Sequence, residues 1–181
     1  MTTDKNAYNL PEITCGYLRL LALCGITPQI VTETLYGLMI LKNLPIREIW
    51  LVTTKDGRQK IISDLLGEGT GQYFAFCDDY NIPADSIAFD TSHILVADDL
   101  PDIHQSEDNQ AFANLILKTV REKTADPETV LYCSLAGGRK TMSVYFALAL
   151  QFFGRPQDKL YHVLTQPPEF QNHPEFYYIP P

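Results

Sequence analysis

An α/β fold, with a mostly parallel central sheet flanked by helices on both faces, is what this 181-residue sequence predicts. Short apolar runs of strand length alternate with amphipathic segments of helix length, the succession that builds strand-helix-strand units. Two of the turns from strand to helix also carry polar, ligand-competent residues. In folds of this class ligands sit outside the carboxyl ends of the strands, so the loops there are the ones to inspect.

The first strand is Leu18 to Gly25 (LRLLALCG), and it runs through Ile26-Thr27-Pro28-Gln29 into a helix with apolar positions at Ile30, Val31, Leu35, Leu38 and Met39. Ile46 to Thr54 (IREIWLVTT) reads as a second, buried strand, followed by a helix from Asp56 to Leu66 with Ile61, Ile62, Leu65 and Leu66 on one face. Two glycines between Glu68 and Gly71 break the pattern before a short helix from Gln72 to Tyr80. Ser86 to Ala97 holds one or two strand pieces, and an acidic loop, Asp98 to Asp108, leads to a helix from about Glu107 to Lys123. Ser106 is placed to cap it, and Phe112, Leu115, Ile116 and Val120 form its buried stripe.

Thr129 to Gly154 (TVLYCSLAGGRKTMSVYFALALQFFG) is the most informative stretch. It joins a strand, Val130 to Leu135, to a helix from about Thr141 through a Gly-Gly turn that carries Arg139 and Lys140. Gly137 and Gly138 can adopt positive φ and admit a ligand to the backbone, while the first helical N–H groups point outward unpaired. The helix dipole and two cations add positive charge at the same spot, so an anion is the natural occupant. A turn that merely reverses the chain, with solvated cations, is the plain alternative. The helix is apolar almost all round from Met142 to Phe153, which requires cover on more than one side, by the sheet and its neighbours or by a second subunit. Leu160 to Thr165 is a last strand. The chain reads as one domain over 1–181, with 166–181 as an extended tail rich in Pro and aromatic residues and laid against the body.

Hydrophobic residues make up 45% of the chain, ample for a core. With 14 basic and 22 acidic residues the net charge is −8, so a long nucleic-acid polymer is not the expected partner, although a small anion in a locally basic pocket is allowed. Cys15, Cys24, Cys77 and Cys133 form no CxxC pair and suit buried thiols in a reducing compartment. No apolar run reaches the roughly 18 residues of a membrane helix and the amino terminus lacks signal-peptide character, so a cytoplasmic protein is expected. GxGxxG is absent, Arg139 interrupts any Walker A loop, and HExxH, GxSxG and DFG are missing, so no dinucleotide or other cofactor is expected. Asp98, Asp99 and Asp102 read as a solvated acidic loop and not as metal ligands. His93, His104 and His162 have no ligand spacing.

CGITPQIVTETLYGL at 24–38, LVTT at 51–54, SEDN at 106–109 and SLAGGRKTMS at 134–143 together resemble the CRISPR-associated Rossmann-fold (CARF) proteins, and specifically the small stand-alone ring nucleases among them. The resemblance covers nearly the whole chain, with the GGRKT and TPQ turns its most specific parts. It implies a Rossmann-like domain that forms a homodimer and binds cyclic oligoadenylate, most often the tetra-adenylate ring, across the two-fold axis. Larger relatives carry a C-terminal effector, frequently a ribonuclease with an RxxxxH motif, and no such motif is visible here, which directs expectation to signal degradation. By resemblance, Lys140 and Thr27 take the places of the lysine and the serine or threonine of ring nucleases and would be catalytic. Gly25, Ile26, Gln29, Thr53, Thr54, Ala136, Gly137, Gly138, Arg139 and Thr141 would contact the ligand, with Asp102 and His104 joining from the acidic loop, His104 as a proton shuttle or lid contact. Thr27 could instead cap the following helix. The closing aromatics Phe170, Phe176, Tyr177 and Tyr178 could stack bases, but fit packing on the fold better. A sensor or sponge that binds the ring without cleaving it is the alternative to the enzyme.

Overall fold

The computed structural model describes residues 16–97, 100, 102, 106–165, 168–170 and 173–181. Its strands are β1 (Tyr17–Leu23), β2 (Ile46–Thr53), β3 (Ile94–Val96), β4 (Thr129–Ser134) and β5 (Lys159–Tyr161), all parallel and ordered β3-β2-β1-β4-β5. β1 lies at the centre, with Leu20 beside Ile49 on one side and Tyr132 on the other. From Leu20 to Leu23 its side chains are buried on both faces, which is why that run is continuously apolar and not alternating, while Arg19 nearer the start is half-buried and paired with Glu48.

The helices are α1 (Gln29–Leu35), α2 (Lys55–Asp64), α3 (Gln72–Asp79), α4 (Ser106–Lys123) and α5 (Lys140–Phe153). Right-handed crossovers dictate their faces. From β1 to β2 to β3 the chain moves one way across the sheet, so α1, α2 and α3 cover one face, where Val31, Leu35, Ile61, Leu65 and Phe76 pack on Leu20, Ala22 and Leu51. From β3 back to β4 and on to β5 it moves the other way. α4 and α5 therefore cover the opposite face, packing Phe112, Ile116, Met142 and Phe146 on Leu21, Leu23, Leu131 and Cys133. Helices on both faces of a parallel sheet match the expected class.

Several local details differ from the sequence reading. The helix after Pro28 widens into a π-helical segment over Tyr36–Leu41 and ends at Asn43 with φ 52°. The last strand is only Lys159–Tyr161, and residues 162–165 continue outside the sheet without regular secondary structure. Between Ala84 and Val96 only Ile94–Val96 is a strand, joined by a single bridge from Ala88 to Glu48, while Asp90 caps a short 3-10 turn through Ser92 N–H at 2.7 Å. α5 starts one residue earlier than expected, at Lys140. Ser106 opens α4, but its proposed capping side chain lies outside the described residues. Cys24, Cys77 and Cys133 are buried free thiols. The described end of the tail, 173–181, is laid on α1 and α3: the Thr32 hydroxyl donates to Tyr177 O (2.7 Å), the Tyr178 hydroxyl to Asp79 (2.9 Å), and the Tyr80 hydroxyl to Ile179 O. Among the described residues no helix is long and apolar enough to cross a membrane.

One buried ion pair fastens α5 and β5 to the amino-terminal end of β4. Asp158, 2% exposed, accepts from Arg155 Nη2 (2.8 Å), Arg155 Nε (2.9 Å) and the Leu131 amide (2.9 Å), while Arg155 also donates to Thr129 O (2.9 Å). Burial alone would raise the Asp158 pKa, but the Arg155 side chain and the amides of Leu131 and Arg155 outweigh it and hold the carboxyl below its ordinary value. A depressed native pKa contributes stability above the unfolded carboxylate's value and loses it as pH falls through the native one. Asp158→Ala should lower unfolding free energy by about 3 kcal/mol, read from urea titration at neutral pH, because it strands a buried guanidinium. The gap between variant and wild type should shrink as the pH is lowered.

Candidate functional site

Between β1 and β4 the winding of the sheet reverses, so the loop leaving β1 heads for one face and the loop leaving β4 for the other. Such a switch point opens a crevice beyond the strand ends. Here it forms a cavity of about 510 Å³. Its floor is the Ala136-Gly137-Gly138-Arg139 turn, its near wall is Gly25, Ile26, Thr27 and Gln29, and Thr54 and Asp102 close one side.

Backbone geometry dictates the two glycines. A Cβ on Gly137 would stand 2.2 Å from the Leu23 carbonyl oxygen, so only glycine lets the turn lie this close to β1. Gly138 has φ 79°, a left-handed conformation that glycine adopts without strain. The chain then enters α5, whose Lys140, Thr141 and Met142 amides have no intrahelical acceptors, while Ser143 N bonds to Arg139 O (3.3 Å). The Arg139 amide meets Met142 Sδ at 3.0 Å, which keeps the first turn closed against the sheet. On the opposite side the Thr34 hydroxyl, 3.4 Å from Ser134 Oγ, ties α1 to the end of β4.

The structure therefore brings Gly25, Ile26, Thr27, Gln29 and Thr54 together with Asp102, Ala136, Gly137, Gly138 and Arg139, drawn from four separated stretches of sequence. Three other expected residues stand apart from the lining. Thr53 is fully buried beside Gly57 with its hydroxyl unpartnered, and Lys140 and Thr141 are exposed at the first turn of α5. Lys140 makes no hydrogen bond or ion pair with the described residues. His104, like Asp98 and Asp99, lies outside those residues. The Thr27 hydroxyl makes no capping bond to α1, whose cap position is Pro28, so the capping alternative finds no support in the geometry. Arg139 is engaged by a bidentate ion pair with Asp102, Nε to Oδ1 at 3.0 Å.

The sequence reading missed one wall entirely. His162, Val163, Leu164 and Thr165, expected in a strand, run beyond β5 outside the sheet and line the cavity together with His173 of the tail. The adjacency of β5 to β4 is what puts them there, and it follows from topology that no local pattern reports. Glu33 was also missed. It sits one helical turn after Gln29, a spacing that places both on one face of α1, and its Oε2 accepts from the Thr165 hydroxyl at 2.7 Å. Burial raises the Glu33 pKa, opposed by that hydroxyl. Among the described residues no three His, Cys, Asp or Glu side chains are grouped to hold a metal ion. The tail aromatics pack: Tyr177 and Tyr178 lie on the α1 face and Phe170 stacks on Phe176 at 4.7 Å between ring centroids.

Fold and cavity together define a doubly wound α/β domain with an anion-competent site at its switch point. The chain belongs to the family described as CRISPR-associated protein NE0113, whose model matches residues 27–181, a span that contains both the TPQ and GGRKT turns. No curated protein matches it in sequence. Among solved structures it is similar to Enterococcus italicus Csm6 bound to cyclic hexa-2'-fluoro-hexa-dAMP, at 15% identity and a TM-score of 0.49 over 84% of this chain and 35% of that one. The chain thus spans about a third of the length of that Csm6 chain.

Glu33 and Asp102 put carboxyls into a cavity otherwise suited to anions. A raised Glu33 pKa means the fold favours its neutral form, present at low pH and lost as pH rises through the native value. Glu33→Gln keeps an acceptor for Thr165 and should strengthen the binding of an anionic ligand several-fold near neutral pH, by roughly the 1 kcal/mol of a partly screened like charge. Calorimetric titration across pH should show a weaker pH dependence of anion binding in the variant than in the wild type, because the variant lacks the Glu33 carboxyl whose ionisation opposes an anion.

Proposed function

We propose that the chain is a metal-independent ring nuclease that binds cyclic oligoadenylate, the tetra-adenylate ring foremost, and cuts it to switch off type III CRISPR signalling. The observation that carries this reading is the cavity at the β1/β4 switch point, floored by the Ala136-Gly137-Gly138-Arg139 turn that leads into α5. Membership of a CRISPR-associated family, and the motif resemblance of the turns that build the cavity, supply the ligand class.

The chemistry asks little of the protein. The ligand's own 2′-oxygen attacks the adjacent phosphorus and the bond from phosphorus to the 5′-oxygen breaks, giving a linear product with a 2′,3′-cyclic phosphate and a 5′-hydroxyl. The 2′ proton is lost and the leaving 5′-oxygen gains one. The protein must hold these atoms in line and stabilise charge on the phosphorane-like transition state. Unpaired α5 amides and Arg139 hold phosphate, Lys140 swings from the helix start to meet the developing charge, and Thr27 orients ribose or phosphate from the facing turn.

A ring spanning two protomers needs a two-fold interface beside the cavity. Val144, Leu148 and Phe152 form an exposed apolar stripe along α5, with Phe152 72% exposed, and the same helix begins at the cavity. A second subunit placed on that stripe supports both the homodimer and the shared ligand. A non-catalytic sensor or sponge, handing the signal to a separate partner, is favoured by one observation: Arg139 is already paired with Asp102 and Lys140 stands outside the lining.

Incubated in EDTA with cyclic tri-, tetra- and hexa-adenylate and followed by chromatography, the protein should convert the tetra-adenylate ring to linear product. Lys140→Ala should reduce the rate by about 10²- to 10³-fold, the cost of losing one transition-state donor. Tight binding without turnover would make the chain a sensor, and neither binding nor turnover would remove the proposal. Separately, Leu148→Asp with Phe152→Asp should yield a monomer in light scattering and weaken ring binding; a wild type that is itself monomeric with ligand present would refute the shared site.

A further inference from the structure

We propose that Gln29 is the specificity-determining residue of this cavity, reading a hydrogen-bond donor on the nucleoside through Oε1 and releasing the carboxyl-terminal strap as it does so; the inference rests on the nucleotide reading above. Gln29 is only 8% exposed, yet it borders two cavities. One is the switch-point cavity, and the other, of about 550 Å³, lies beyond Ile26 and Thr27 and is lined by Lys60, Ser63, Gln72 and Tyr177.

The two halves of the Gln29 amide are used unequally. Nε2 donates to the Pro174 carbonyl at 2.7 Å, whereas Oε1 is buried with no partner. Because a carbonyl can only accept, the bond to Pro174 O fixes which end of the amide is the nitrogen, and the oxygen is the atom left over. A buried unpaired acceptor is unfavourable, and such orphans in native structures call for an explanation. The buried orphans Thr53 Oγ1 and Trp50 Nε1 belong to residues that line neither cavity. Gln29 lines both.

An acceptor has nothing to offer a phosphate, which at neutral pH is itself an acceptor. Oε1 therefore reads the nucleoside and leaves phosphate to Gly137, Gly138 and Arg139. Two donors are available there, the exocyclic amine of adenine and the ribose 2′-hydroxyl, and they share the chemistry that Oε1 accepts.

Reading has a mechanical cost. Oε1 is closed off from solvent, so a ligand donor meets it through rotation of the amide, and rotation swings Nε2 away from Pro174 O. Gln29 and Thr32, one turn apart on α1, grip the strap at Pro174 and Tyr177, also three residues apart. Satisfying the ligand at Gln29 removes the first of these two grips. His173 lines the switch-point cavity and Pro174 the neighbouring one, so the strap is loosened where it borders the ligand.

The test compares wild type with Gln29→Met, measuring affinities by competition against a fluorescent cyclic tetra-adenylate. The competitors are unmodified cyclic tetra-adenylate, the tetra-inosinate ring, which replaces the amine by a carbonyl, and the 2′-deoxy ring. Wild type should prefer the unmodified ring over one analogue by about tenfold, the value of one hydrogen bond, and the variant should bring that ratio close to one. Collapse in the inosinate arm identifies the amine, and collapse in the deoxy arm the hydroxyl. Because each ratio is taken within one protein, a general loss of affinity from the cut tether cancels. Wild-type ratios retained by the variant would overturn this inference and leave the nucleotide reading standing, whereas a wild type that binds no ring overturns both. Hydrogen exchange on wild type provides the second readout, needing no variant: amides in 173–181 should exchange faster once cyclic tetra-adenylate is added, and unchanged exchange there overturns the strap release.

Discussion

The reversal of winding between β1 and β4 is the constraint on which the rest depends. Right-handed crossovers force helices onto opposite faces when the direction of travel across the sheet changes, and adjacent strands then send their loops apart. The gap cannot be filled by the chain that creates it. Three segments of the chain meet around that gap: the glycine turn that follows β4, the TPQ turn that follows β1, and the segment beyond β5. Gly137 shows how tightly the requirement is enforced, since its backbone lies too near the Leu23 carbonyl for any side chain.

The electrostatics of the cavity are mixed and not simply positive. The start of α5 and the Arg139 guanidinium favour an anion, while Asp102 occupies that guanidinium and Glu33 brings a second carboxyl whose burial favours its neutral form. An anion entering the cavity would compete with Asp102 for Arg139. Such competition would sharpen discrimination, because a ligand that engaged Arg139 without supplying equivalent hydrogen bonds would gain little over the carboxylate it displaced. Lys140, outside the lining, takes no part in that ion pair.

How much of this was legible in the sequence follows from how local each feature is. LRLLALCG and TVLYCS declare themselves as buried strands, and SLAGGRKT declares a strand-turn-helix junction with its charges, because a few neighbouring residues fix them. Ten of the residues named from sequence meet in one cavity because strand ends and helix starts are local signals and the switch-point rule gathers them. His162 to Thr165 escaped because they look like strand and are expelled from the sheet only by where β4 ends. Glu33 escaped because a carboxylate beside an anion site runs against the simplest reading of charge. Thr53 shows the reverse error: a polar residue at a strand end suggests a contact, but its hydroxyl turns inward against Gly57. The π-helical segment at Tyr36–Leu41 left no mark in the apolar spacing that sequence reading relies on.

The central position of β1 also sets when the molecule becomes competent. Its partners are β2, close behind it in the chain, and β4, more than a hundred residues later. Until β4 arrives, β1 presents an unpaired apolar edge, the kind of edge that draws in foreign strands. Such distant pairing is slow, since loop closure must be met before contacts reward it. A chain emerging from the ribosome would carry its TPQ turn for most of synthesis with no floor opposite it. The cavity is therefore completed late, and a product truncated before β4 would have an exposed apolar strand edge and no cavity.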